Sequence, residues 1–194
     1  FEIFEVLKMK SFWIKSICHG TSSMLISTMM MHMILALKDQ GLSLQTAALI
    51  WGITMGYSGL AQIFGGYIGD RMPKNLALCI FGCLQSAGVA AATLIGNSFY
   101  FIPIFVLIYG LGFGARVPLG SSIRGEYFGR KAYGKVLGFS MVPMFLLMTI
   151  GPLFAGKMFD TFGDYNYAFL ILAGITSVGS IGFLFAKKPD PKVN

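Results

Sequence analysis

Arg116 stands in "YGLGFGARVPLG", a run with no other charge. Counted from Ile123, where the apolar stretch around it ends, it lies about 8 residues, or ~12 Å of helix, from the nearer end. A cation so deep in an apolar helix is costly and faces either a cavity or a partner. On a helix it shares a face with Tyr109, Gly112 and Gly120. Two readings stand open. In one, Arg116 faces a cavity and grips a carboxylate through two parallel hydrogen bonds. In the other, it is an inner-gate residue bonding backbone carbonyls loosened by Pro118. His19, Ser23 and Ser27 fall at i, i+4 and i+8, one polar stripe on an otherwise apolar helix. His19 is either a cavity group able to carry a proton near neutral pH or a neutral donor tying two helices together. Gln62, on a face with Ser58 and Gly66, either lines the same cavity or bonds a neighbouring helix. His32 is expected at the outer interface. Met141, Met144 and Met148 form a stripe that reads as packing.

The elements that must hold these residues follow from composition. Of 194 residues 55% are hydrophobic and only 12% are charged, about half the charged share of a soluble domain. So few charges cannot cover a soluble body of this size, and the chain reads as an integral membrane protein in a lipid bilayer. Six apolar stretches suit helices of ~20 residues or more, at 12–37, 44–68, 76–95, 101–123, 136–155 and 167–186. They lack the alternation of barrel strands, so the class is all-α. The six-helix bundle spans 12–188, with a linker at 1–11 and a tail at 189–194. "GFGARVPLG" and "TIGPLFAG" set Pro118, and Gly151 with Pro152, among small residues. These should bend or locally unwind their helices, which membranes tolerate along a cavity.

The net charge is +7. Twelve of the fifteen Lys and Arg fall on one side of the six spans, and Lys38 and Lys157 on the other. That asymmetry orients the bundle with both termini cytoplasmic and argues against a nucleic-acid surface, since the bases sit singly in short gaps. Cys18, Cys79 and Cys83 lie in apolar runs and read as small fillers. No metal cluster, cofactor motif or nucleophile–base pair appears, so an enzyme is not expected. No Asp or Glu lies mid-span.

"GGYIGDRMPKNL" (65–76) is a short charged turn between the second and third spans. Asp70 ends a helix, where negative charge is disfavoured, and so calls for a basic partner. The loop "IRGEYFGRKAYGKVLG" offers Arg124, Arg130 and Lys131 on the same membrane side. A bond from Asp70 to that cluster, beside Arg71 and Lys74, would latch the inner face. Here the chain resembles the major facilitator superfamily of secondary transporters. In that family the loop after the second helix of each half follows Gly-x-x-x-Asp-Arg/Lys-x-Gly-Arg/Lys-Arg/Lys. Gly66, Asp70, Arg71 and Lys74 stand in register, while Pro73 replaces a glycine and Asn75 a base. "HMILALKDQGLSLQTAALIWG", "GEYFGRKAYGKVLGF" and "GPLFAGKMFDTFGDYNYAFLI" resemble the family's later passages, the last in the monocarboxylate and oxalate/formate subgroup.

The resemblance implies one six-helix half of a twelve-helix transporter of the plasma membrane. The chain, which begins at Phe1, would be the C-terminal half and would need an N-terminal half as partner. It implies a small-molecule substrate moved by alternating access. An organic anion is favoured because the one deep charge is positive. The first and fourth helices of each half line the family's central path, and here they carry His19 and Arg116. Gln85, on a helix that the resemblance places at the periphery, is expected to be structural. Two other classes remain open: a sensor or scaffold on a transporter fold, and a half-transporter that pairs with a copy of itself.

Overall fold

The computed structural model describes residues 3–128 and 133–186. Seven helices follow in order: α1 (Ile3–Lys8), α2 (Lys10–Asp39), α3 (Leu44–Gly69), α4 (Lys74–Ala92), α5 (Phe101–Phe128), α6 (Tyr133–Phe162) and α7 (Asn166–Gly182), with a 3₁₀ turn at Phe183–Phe185. No strand occurs among the described residues. Helices α2 to α7 are long and apolar enough to cross a membrane, and the protein is an all-α integral membrane protein. Two helices outrun the apolar windows that foretold them: α5 reaches Phe128 and α6 reaches Phe162. A 30-residue helix is ~45 Å long, against a hydrocarbon core of ~30 Å, so Lys157 and Asp160 ride beyond the apolar layer on helix. The expected linker at 1–11 contains α1, whose Val6 is buried beside Phe12, Tyr127 and Val136.

Local chemistry sets the turns. Gly41 adopts φ 95° after α2, a left-handed conformation that suits glycine. Ser43 then caps α3, its side chain accepting from Thr46 N at 3.1 Å. Gln40 reaches across to the next turn: it donates to the Ala92 carbonyl at 3.1 Å and accepts from Gly96 N at 2.7 Å. One side chain thus closes the C-terminal end of α4.

Helix α3 packs along α5, α6 along α2, and α4 along both α5 and α7, while α7 also meets α2. Exchanging α2–α4 with α5–α7 maps this pattern onto itself, the signature of two three-helix repeats. Small residues set the closest approaches: a Cβ at Gly65 would strike the Ala115 backbone, and one at Gly88 the Tyr109 backbone.

The expected breaks at Pro118, Gly151 and Pro152 do not occur as unwinding; α5 and α6 run through them, and through Pro143, as continuous helix. The reason is visible at Pro152. It has no N–H to offer the Met148 carbonyl four residues back, and Ser27 Oγ on α2 donates to that carbonyl at 2.7 Å. His32 Nε2 lies 3.2 Å from the Pro152 carbonyl. Gly151 admits α2 this closely, since a Cβ there would overlap Met24 and Thr28. A neighbouring helix therefore supplies what the proline withholds.

Two apolar cores result. One holds Met29, Trp51, Phe105 and Phe169; the other holds Phe12, Leu78, Leu119 and Phe183. Between them, at the level of His19 on α2, Gln85 on α4, Arg116 on α5 and Ser180 on α7, lies a polar band.

Candidate functional site

A cavity of about 190 Å³ opens in the seam between α2 and α5. From α2 it is lined by His19, Ser22, Ser23 and Ile26, and from α5 by Phe113, Arg116, Val117, Ser121 and Arg124. The α5 residues other than Arg116 follow helical spacing, 113, 117, 121 and 124, so one stripe of α5 forms the wall. A smaller pocket of about 10 Å³ continues past His19, Gly120 and Arg124 to Lys15. The seam therefore carries Lys15 and His19 at i, i+4 on one helix and Arg116 and Arg124 at i, i+8 on the other. Among the described residues no Asp or Glu lines either pocket.

Of the helical face expected to look into the cavity, Gly120 borders the smaller pocket, while Tyr109 and Gly112 look elsewhere. Tyr109 is fully buried and packs on Trp51, Phe105 and Phe113. Gly112 lies against Gln85 and Phe81. That face of α5 meets α4, and Arg116 stands at the boundary between it and the cavity wall. The side chain is 5% exposed. Its Nη1 donates to Gln85 Oε1 at 2.8 Å, its Nε is buried without a hydrogen-bond partner, and among the described residues it forms no ion pair.

His19 packs over Gly120, where a Cβ would overlap its ring, and borders both pockets. Its backbone carbonyl accepts from Ser23 Oγ at 3.0 Å. Ser27, the third member of that stripe, does not reach the cavity; it is buried on Met148. Gln62 is exposed on α3 and lines neither pocket. His32, expected at the interface, is a tie between α2 and α6 and stacks near Tyr165 with ring centroids 5.1 Å apart.

At the 65–76 turn, Asp70 is the C-cap of α3 and exposed; among the described residues it makes no ion pair. Arg71 folds back on its own helix, over the Tyr67 ring at 3.5 Å. Lys74 supplies the cross-link: its Nζ is 2.9 Å from Glu126 Oε2 at the end of α5. Arg130 and Lys131 lie outside the described residues. Sequence reasoning missed Ser22, Ser121 and Arg124 as cavity residues and Gln85 as the partner of Arg116. The spacing of Ser121 and Arg124 along α5 was the available signal. For Gln85 there was none, because pairing between α4 and α5 is not encoded in either helix alone.

A membrane bundle of two three-helix repeats, with a polar cavity between the first helix of each, is built as the half of a secondary transporter is built. The chain belongs to the Major Facilitator Superfamily, which it matches over residues 12–194. It is similar to "Monocarboxylate transporter 11" of Mus musculus, 26% identical over 154 residues, covering 75% of this chain and 34% of that protein. It is similar also to "Monocarboxylate transporter 10" of Rattus norvegicus, 31% identical over 124 residues, with 61% and 23% covered. "Protein spinster homolog 1" of Xenopus tropicalis is 22% identical over 137 residues, with 70% and 26% covered. The chain spans about a third or less of the length of these curated relatives.

Proposed function

We propose that this chain is the C-terminal half of a secondary transporter that carries a small organic anion by alternating access. A second six-helix half completes it, in the plasma membrane, with the Lys- and Arg-rich ends of the helices cytoplasmic. The observation that carries the reading is the α2/α5 cavity, bordered by Arg116, Arg124 and His19 and, among the described residues, by no carboxylate. Within an apolar bundle the attraction of such a wall for a carboxylate is much stronger than in water. Two of the relatives are named as monocarboxylate transporters, which supports the same charge sign. The Lys74–Glu126 pair joins the start of α4 to the end of α5, and in this reading it belongs to the inner latch with Asp70, Arg71 and Arg130.

Arg116 decides the reading. Arg116→Lys keeps the charge and loses the planar fork, so affinity falls and some transport remains. Arg116→Gln loses a charge-assisted bond, ~1.5–3 kcal/mol or about 10- to 150-fold in affinity. Equilibrium binding and counterflow on the same purified variants of the complete transporter check this. Native affinity with failed turnover in Arg116→Gln would make Arg116 an inner-gate residue instead.

A further inference from the structure

Gln85 is fully buried on α4 and accepts a hydrogen bond from Arg116. Around that guanidinium stand Gln85 Nε2, Tyr109 Oη and Ser180 Oγ, all buried, with the Tyr109 hydroxyl beside the Gln85 amide. Ser180 and Arg116 both border the side-chain-free position at Gly82. Each of these groups can donate, and none brings negative charge. Among the described residues, the ionisable side chains near Arg116 include Cys18 and His19 on α2, Cys83 on α4 and Tyr109 on α5, and none of these is a carboxylate. Among the described residues one neutral acceptor therefore holds the guanidinium, and no carboxylate there compensates its charge where it meets the cavity wall. A glutamate at this position would hold Arg116 more strongly and would cancel the field the cavity receives. An amide of the same length holds it and leaves the charge in place.

We propose that Gln85 is a specificity-determining positioning residue: a neutral anchor that fixes Arg116 at the wall with its charge unspent, so that the cavity accepts anions. This role rests on the anionic-solute reading of the same cavity. The test needs no knowledge of the solute. In the complete transporter, freed of native cysteines, Ser121→Cys places a thiol on the cavity wall. Its rates of modification by a sulfonate-bearing and a trimethylammonium-bearing thiosulfonate are measured at one pH, and their ratio is divided by that of a free thiol. The ratio removes the thiol's own ionisation. The expected result is a preference of about tenfold for the anionic reagent. Adding Gln85→Glu abolishes the preference near neutral pH and restores it as falling pH protonates the new carboxyl. Gln85→Met, which lacks the acceptor and adds no charge, releases Arg116 from the wall and weakens the preference without that pH dependence. No anionic preference in the parent overturns the anion reading itself. A preference lost in Arg116→Gln yet equal in Gln85→Glu and Gln85→Met at every pH overturns the role of Gln85 alone.

Discussion

Pro152 withholds a hydrogen from the Met148 carbonyl, and Ser27 on another helix returns one. In lipid the alternative is an unpaired carbonyl, which costs about 1–3 kcal/mol. Ser27→Ala should therefore lower the stability of the purified protein by that amount without weakening solute binding. The same change made in Pro152→Ala, whose new N–H serves Met148 from within α6, should cost much less; thermal unfolding of the four proteins reads the difference. Equal costs in both backgrounds would mean that Ser27 does not compensate the proline. The stripe His19, Ser23, Ser27 was legible in the sequence as polar. Its division of labour was not, because the helix face turns from the α5 seam toward α6 as it rises. The same limit explains Gln85: a lone amide in an apolar run gives no sign of which buried cation it holds.

Helix positions were legible because lipid demands long apolar runs whose backbone bonds are internal. Helix ends were less so, as α5 and α6 show: hydropathy marks the edge of the apolar layer, while hydrogen bonding carries the helix past it. The helix contacts predict which glycines matter. Gly65→Ala should destabilise the bundle, because a Cβ there meets the backbone of Ala115, and thermal unfolding should register a clear loss. Gly59→Ala meets open space and should be neutral or stabilising by up to ~1 kcal/mol, since alanine favours helix over glycine. A like comparison applies where the start of α4 meets the end of α5. Lys74 and Glu126 are partly exposed, with side chains 21% and 40% accessible, so the pair is worth only ~0.2–1 kcal/mol in stability. Lys74→Glu should nevertheless slow transport, and adding Glu126→Lys should recover much of the rate. Failure of the swap to recover it would remove this pair from the latch.

For the whole molecule, the bias of Lys and Arg to one side sets an orientation that thiol labelling can check. Cysteines at Asp39 and Gly163 should react from outside intact cells, and one at Arg130 only from inside; outside labelling at Arg130 would invert the topology. The sequence made the family legible through the 65–76 turn. It could not place the cavity, which exists only where α2 and α5, far apart in the chain, face each other across Gly120 and His19. The claim that this seam is the anion's path is tested most directly by protection. In the complete, cysteine-free transporter, Ser121→Cys and Asp39→Cys are labelled with a water-soluble maleimide, with and without an organic anion that the protein takes up. The account predicts that the transported anion slows labelling at Ser121→Cys several-fold, that its neutral amide does not, and that Asp39→Cys is indifferent to both. A transported anion that leaves Ser121→Cys labelling unchanged would contradict it.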